Sequence, residues 1–323
     1  MTQRLAPRAI LEIVTVSVLL VLPLGSDRLF DSYYLDLASR IIITWIALLG
    51  FDILAGYTGL VSLGHAMFFG LGAYGAALTL LHVSSSLPLA LLAGTVATTA
   101  AAAIVGYLSI RTQGVYFILL TLVFAEFGYE VVFNGGEITG GQNGLASLST
   151  TPVKLPGLGT LDWSDPTVAF YLALVAFVIA YITARWIVGS GFGSTLAAVR
   201  DNQDRATYLG YDVAAIKRRA FVISGTFAGF AGALWAQHES YVSPQLLHWT
   251  LSGQFIIMTW LGGVGTLVGP LIGGAVLMYF AEFLSSILKN WLIIFGLLYI
   301  FVVLYAPQGL WGIVMYPPWK RSR

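Results

Sequence analysis

Residues Gly191 to Ala220 read G-F-G-S-T-L-A-A-V-R-D-N-Q-D-R-A-T-Y-L-G-Y-D-V-A-A-I-K-R-R-A, a charged island between two apolar runs. Arg200, Asp201, Asp204, Arg205, Asp212, Lys217, Arg218 and Arg219 all fall inside it. The chain around it is of another kind. Of 323 residues, 58% are hydrophobic and only 10% charged, with a mean hydropathy of +0.83. Soluble domains carry about 25% charged residues, so this composition reads as an integral membrane protein. In such a chain a large water-facing segment is usually offered to a soluble partner on the side where positive charge accumulates.

Working outward from the island, apolar runs lie at Ala9 to Leu24, Leu35 to Ala55, Leu60 to His82, Pro88 to Ile110 and Val115 to Phe133 before it. Val168 to Val188 precedes it directly, and Ala220 to Gln237, Leu251 to Val264, Leu267 to Ser285 and Trp291 to Ala306 come after it. About 20 residues of helix cross a bilayer, so the expected fold is an all-α polytopic membrane helix bundle of about ten spans with broken helices. Residues 1–323 then form a single transmembrane domain. The first run comes after basic Arg4 and Arg8 but has Glu12 inside it and no small-x-small cleavage site before Ser26, which favours a retained helix over a signal peptide.

Lysine and arginine set the orientation, because inward-facing loops retain them. An inside amino terminus places Arg4, Arg8, Arg111, Arg185, the island's basic residues, Lys320, Arg321 and Arg323 on or near the cytoplasmic side, leaving Arg28, Lys154 and Lys289 outside. Residues 135–166 become an extracytoplasmic loop and residues 190–219 a cytoplasmic segment. A bacterial inner membrane fits this pattern. A net charge of +1 gives no case for nucleic acid, and the absence of cysteine excludes disulfides, thiolate metal sites and thiol catalysis.

Small residues mark close helix contacts: Gly225 and Gly229 form a small-xxx-small pair with Gly232 one turn on, and Gly269 and Gly273 repeat the spacing. Two regions interrupt the spans with glycine, proline and polar residues and are expected to border a transport path. In Gly56 to Gly75, helical spacing sets Ser62 and His65 on neighbouring positions facing a polar cavity. In Gly262 to Gly274, with Gly262, Gly263 and Gly265, the backbone reads as a tight hairpin or discontinuous helix, and Pro270 suits the first turn of the next helix.

Ionisable residues inside spans are costly and face cavities or partners. Arg40, Asp52, Glu126, Glu130, Glu239 and Glu282 are the candidates. Glu126 lies about 18 Å along its helix from Gly114, and with Glu130 on the same face it reads either as a wall of the translocation path or as interhelical pairing. Asp52 and Glu282 sit nearer helix ends, where snorkelling or headgroup solvation would account for them.

No catalytic set emerges. His65, His82, His238 and His248 are isolated, and the chain has no H-E-x-x-H pair, no G-x-S-x-G elbow and no G-x-x-x-x-G-K-[ST] phosphate loop. A pump built on this chain needs its energy from another subunit. A passive channel and an intramembrane enzyme are the readings from other classes, and neither has positive support in the sequence.

The motifs G-Y-T-G-L-V-S-L-G-H-A-M-F-F-G-L-G-A-Y, G-V-Y-F-I-L-L-T-L-V-F-A-E, T-G-G-Q-N-G-L, the island, G-T-F-A-G-F-A-G-A-L, L-G-G-V-G-T-L-V-G-P and Y-A-P-Q-G-L-W-G succeed one another along nearly the whole chain. Taken in order, they resemble the LivM-type permease subunit of branched-chain amino acid ABC importers. The resemblance implies a permease and no enzyme, partnered by a homologous LivH-type permease, two ABC ATPase subunits and a periplasmic solute-binding protein. It implies no cofactor on this chain, with ATP and Mg on the partner ATPases.

The resemblance also implies a helix from Thr195 to Leu209 docking in an ATPase groove. Arg200, Asp201, Asn202, Asp204, Arg205, Ala206 and Leu209 form this coupling surface, which Gly210 closes as a helix cap. Substrates of the wider group include other amino acids, urea, short amides and aromatic acids.

Overall fold

Polar caps and prolines set where several of the helices begin. In the computed structural model, which describes residues 32–146, 148, 153–155, 159–161, 163–287, 293, 296, 300 and 309–315, the apolar runs are helical. The expected span at Ala9 to Leu24, most of that at Trp291 to Ala306, and Arg4, Arg8, Arg28, Lys289, Lys320, Arg321 and Arg323 lie outside the described residues.

Helix α1 covers Ser32–Asp52 and passes into a π-helical turn at Ile53–Tyr57. Then come α2 (His65–His82), α3 (Leu87–Ser109), α4 (Val115–Phe133), the single turn α5 (Gly136–Thr139) and α6 (Pro166–Gly189). The island forms α7 (Gly191–Asp201) and α8 (Gln203–Tyr208), followed by α9 (Val213–Glu239), α10 (Trp249–Gly262), α11 (Val268–Ile287) and α12 (Gly309–Met315). Asp165 illustrates the local logic: its carboxylate accepts from Thr167 N at 2.8 Å, and Pro166 behind it needs no partner for an amide it lacks.

Among the described residues six helices are long and apolar enough to cross a membrane: α1 with its π turn, α3, α4, α6, α9 and α11. The chain is therefore an all-α, multi-pass membrane bundle. At its centre, α9 packs against α2, α3 and α1. The glycine pattern explains how closely. A Cβ placed on Gly72 would collide with the Gly229 backbone, and one on Gly232 with the Phe69 carbonyl, so these helices touch backbone to backbone. On the outside, α3, α4 and α6 leave Ile104, Phe127 and Ile179 more than half exposed, which suits surfaces that meet lipid.

Two expectations need correction. The island does not form one helix from Thr195 to Leu209. Asn202 adopts an extended backbone (φ −162°, ψ 105°), and its side chain accepts from Arg205 N at 2.8 Å, so it ends α7 and caps α8. Ser62 and His65 are not neighbours on a helix either, because α2 begins at His65 and Ser62 lies in the non-helical stretch before it. The loop at 135–166 also contains short strands. β1 (Leu145–Ala146) pairs antiparallel with β4 (Tyr241–Val242) beyond α9, and β2 (Val153–Leu155) with β3 (Gly159–Leu161).

Candidate functional site

Three stretches distant in sequence meet at the end of the bundle where α1 finishes. Asp52, the last residue of α1, is fully buried. Its Oδ1 accepts from Gly265 N at 2.6 Å and its Oδ2 from Leu267 N at 2.9 Å. Both amides belong to the link between α10 and α11, where Gly263 and Gly265 have φ of 121° and 76° and Leu267 has φ of 60°. Leucine rarely adopts this left-handed backbone, which costs about 1–2 kcal/mol. Here the carboxylate fixes the Leu267 amide while the side chain, 5% exposed, is held in the core. Asp52 is thus a clamp on the loop, and the snorkelling expected of it does not occur.

One turn further on, the carbonyl oxygen of Gly56 accepts from Arg200 Nη1 at 2.7 Å. Arg200 is the penultimate residue of α7. The fit around it depends on absent side chains: a Cβ on Gly59 would stand 3.0 Å from Arg200 Cγ, and one on Gly265 3.5 Å from Nη1. The charged island is therefore bonded to the π turn, and the π turn is joined through Asp52 to the α10–α11 link. That link is a tight hairpin. Cβ atoms on Gly262 or Gly273 would overlap the facing helix's backbone, and Pro270 lies in the first turn of α11.

The other coupling candidates follow Arg200 along the end of α7, α8 and the turn after it. Ala206 is buried at 2%, while Asp201, Asn202, Asp204, Arg205, Leu209 and Gly210 are exposed. Gly210 has φ of 87°, with Gly210 N bonded to Thr207 O at 2.9 Å and Tyr211 N to Ala206 O at 3.1 Å, which is a Schellman ending for α8. Lys217 Nζ donates to Gln203 Oε1 at 2.7 Å and ties α8 to α9.

A second knot lies deeper. Ser224 Oγ donates to Gly50 O at 2.6 Å and is 2.7 Å from His65 Nε2, so it accepts from that nitrogen and the ring's proton is assigned there. Phe51, Phe68 and Phe221 stand edge-on to the imidazole at 5.0, 5.7 and 6.0 Å. His65 is therefore walled by aromatic rings, not by the polar cavity expected. Ser62 accepts from Gly64 N at 3.1 Å, while Thr121 and Ser252 accept from Leu63 N and Ala66 N at 3.1 and 2.7 Å. Neighbouring helices thus supply the hydroxyls that Gly64, as helix cap, cannot.

Glu126 and Glu130 are elsewhere. Glu126 Oε2 is 3.9 Å from His248 Nε2, and Glu130 accepts from Asn134 Nδ2 at 2.7 Å. Among the described residues no hydrogen bond or ion pair links either to Ser62, His65, Gly262, Gly263 or Gly265. Arg40 bridges Asp36 at 2.9 Å and Glu239 at 3.0 Å, which makes it an interhelical pair between α1 and α9. Glu282 accepts from Tyr33 Oη at 2.6 Å. No group of three or more His, Cys, Asp or Glu suited to a metal occurs among the described residues.

Sequence reasoning missed Leu267 and Ser224, and it read Asp52 as a structural residue near a helix end without finding its partners. The signal available for those partners was an acidic residue four positions before Gly56, in a chain with a glycine-dense link between α10 and α11.

Residues 33–303 match the family model described as branched-chain amino acid transport system / permease component. The high-affinity branched-chain amino acid transport system permease protein LivM of Salmonella typhimurium is 28% identical over 314 residues, covering 90% of this chain and 73% of that one. LivM of Escherichia coli is 27% identical over the same shares of the two chains. LivH of Salmonella typhimurium is 26% identical over 200 residues, 61% of this chain and 59% of the relative. No solved structure matches the chain. The chain belongs to the branched-chain amino acid transport system permease-component family, and it is a permease subunit of an ABC importer and not an enzyme.

Proposed function

We propose that this subunit forms one half of the membrane channel of an importer for branched-chain or other amino acids, with ten spans interrupted at residues 53–64 and 263–267. In this reading residues 190–219 face the cytoplasm and receive an ATPase, residues 135–166 face outward, and the membrane is a bacterial inner membrane. A LivH-type permease supplies the other half. Two ATPase subunits carry ATP and Mg, and a periplasmic binding protein delivers substrate and sets most of the selectivity.

The observation that carries this reading is the Arg200 to Gly56 hydrogen bond at 2.7 Å. Force applied to α7 and α8 reaches the π turn through one guanidinium and the α10–α11 link through Asp52. Charged donors make strong hydrogen bonds, so this contact transmits displacement instead of yielding to it. Switching between outward and inward access further requires that each state bind its own ligand better, nucleotide-loaded ATPase below or loaded binding protein above.

The test is the charge exchange Arg200→Glu with Asp204→Arg in the reconstituted importer. Uptake falls while ATP hydrolysis persists and no longer responds to substrate. Unchanged uptake together with unchanged substrate-stimulated hydrolysis overturns the proposal.

A further inference from the structure

Between α3 and α9 a groove of about 590 Å³ opens at the end of the bundle where α3 finishes and α9 starts. Tyr107, Arg218 and Arg219 line it near the helix ends, Ala103, Val222 and Ile223 line it about a turn deeper, and Phe192 of α7 closes one side. Arg111, just beyond α3, joins them: its Nη2 donates to Tyr107 Oη at 2.8 Å and its guanidinium lies 4.8 Å from the Tyr107 ring centre. The Arg218 guanidinium is 5.8 Å from the same ring. Two cations therefore flank one tyrosine, with a third beside them.

Among the described residues no carboxylate lies within ion-pair distance of Arg111, Arg218 or Arg219. Three arginines held together in this way repel one another unless an anion joins them, and guanidinium groups match phosphate oxygens in geometry. The wall carries the second half of the argument. Ala103 and Ile223 each stand four residues along their helices from Tyr107 and Arg219, about 6 Å at 1.5 Å per residue, and both helices are apolar enough to span. Ile104 and Leu108 on the adjoining face of α3 are 64% and 44% exposed. A soluble anion or an acidic peptide would fill the mouth and leave this strip bare, whereas an amphiphile fits both.

We propose that the α3–α9 groove binds one anionic phospholipid, with its phosphate among Arg111, Arg218 and Arg219 and an acyl chain along Ala103, Val222 and Ile223. Basic pockets between membrane helices hold acidic headgroups in this manner. Because Arg218 and Arg219 lie in the first turns of α9, within the same charged segment as Arg200, an occupied groove also anchors the start of α9.

The experiment is native mass spectrometry of the purified full-length chain after exchange into equal amounts of phosphatidylglycerol and phosphatidylcholine. Phosphatidylglycerol is retained preferentially, and each arginine changed to glutamine lowers the preference roughly five-fold. Ile223→Trp, which fills the wall and spares the arginines, also lowers retention, while Arg185→Gln leaves it unchanged. Equal retention of the two lipids by the unaltered chain overturns the proposal. So does a preference that survives Arg111→Gln, Arg218→Gln and Arg219→Gln together, or displacement of the lipid by millimolar inorganic phosphate, which would assign the arginines to a free anion.

Discussion

Asp52 and Leu267 lie 215 positions apart in sequence, yet the carboxylate of one accepts the amide of the other at 2.9 Å in a fully buried setting. The same side chain accepts from Gly265 N at 2.6 Å. This single residue thereby ties the end of α1 to the glycine-rich link beside which Arg200 also lies.

Removing the clamp is costly because both amides lose their acceptor. Asp52→Ala strands the buried Leu267 N–H at about 1–3 kcal/mol and frees the half-buried Gly265 N–H at a smaller cost, whereas Asp52→Asn keeps one acceptor oxygen and loses less. Thermal unfolding of the purified chain is expected to rank wild type above Asp52→Asn above Asp52→Ala. Equal melting of all three would show the clamp to be idle.

The α10–α11 hairpin depends on contact between backbones. A Cβ on Gly273 would overlap the Met258 carbonyl, while one on Gly253 would meet nothing within 4 Å. Gly273→Ala is expected to destabilise the chain by about 1–3 kcal/mol through overpacking. Gly253→Ala, inside the same helical hairpin, is neutral or stabilising by up to about 1 kcal/mol, since glycine is a poor helix former. The comparison uses one unfolding assay, and similar losses for both variants would remove the hairpin argument.

The turn closing α8 predicts a local effect. Gly210 at φ 87° is poorly replaced by any L-residue, so Gly210→Ala costs about 1 kcal/mol and frays the end of the helix. Hydrogen exchange at the amides of Gly210 and Tyr211 is expected to speed up while that of α9 stays unchanged. Identical exchange would contradict the Schellman assignment.

Ser224 serves two partners at once. Ser224→Ala leaves the Gly50 carbonyl without this donor and His65 Nε2 without its acceptor, with an expected loss of about 1–3 kcal/mol. Ser224→Thr keeps the hydroxyl and retains most of the stability. A chain that tolerates alanine as well as threonine would show that the knot contributes nothing.

Much of this was legible from residue order. Six of the expected apolar runs are helices long and apolar enough to cross a membrane among the described residues, because hydropathy reports burial in lipid directly, and α4 fell at Val115–Phe133 as expected. Gly225, Gly229 and Gly232 foretold close packing because only backbone contact rewards such spacing. The site was legible in part. Arg200 stood out as a charge in an island, but its partner is a carbonyl oxygen, which every residue possesses, so no side-chain pattern could point to Gly56. The break at Asn202 was written in its side chain, yet helix propensity on either side hid it. Asp52 was misread because position near a helix end suggests access to headgroups, whereas the loop that covers it comes from more than 200 residues away. His65 resembled a cavity residue until Phe51 and Phe221, from two other helices, closed over it.

The most direct measurement is the ratio of substrate imported to ATP hydrolysed for Arg200→Gln in proteoliposomes holding the complete importer. Glutamine keeps a donor but not the charge or the reach to Gly56. Hydrolysis is expected to stay within about two-fold of wild type while uptake drops roughly ten-fold, a loss of about 1.4 kcal/mol in coupling. A ratio equal to that of the unaltered importer would contradict the claim that the Arg200–Gly56 contact carries motion from the charged island into the membrane.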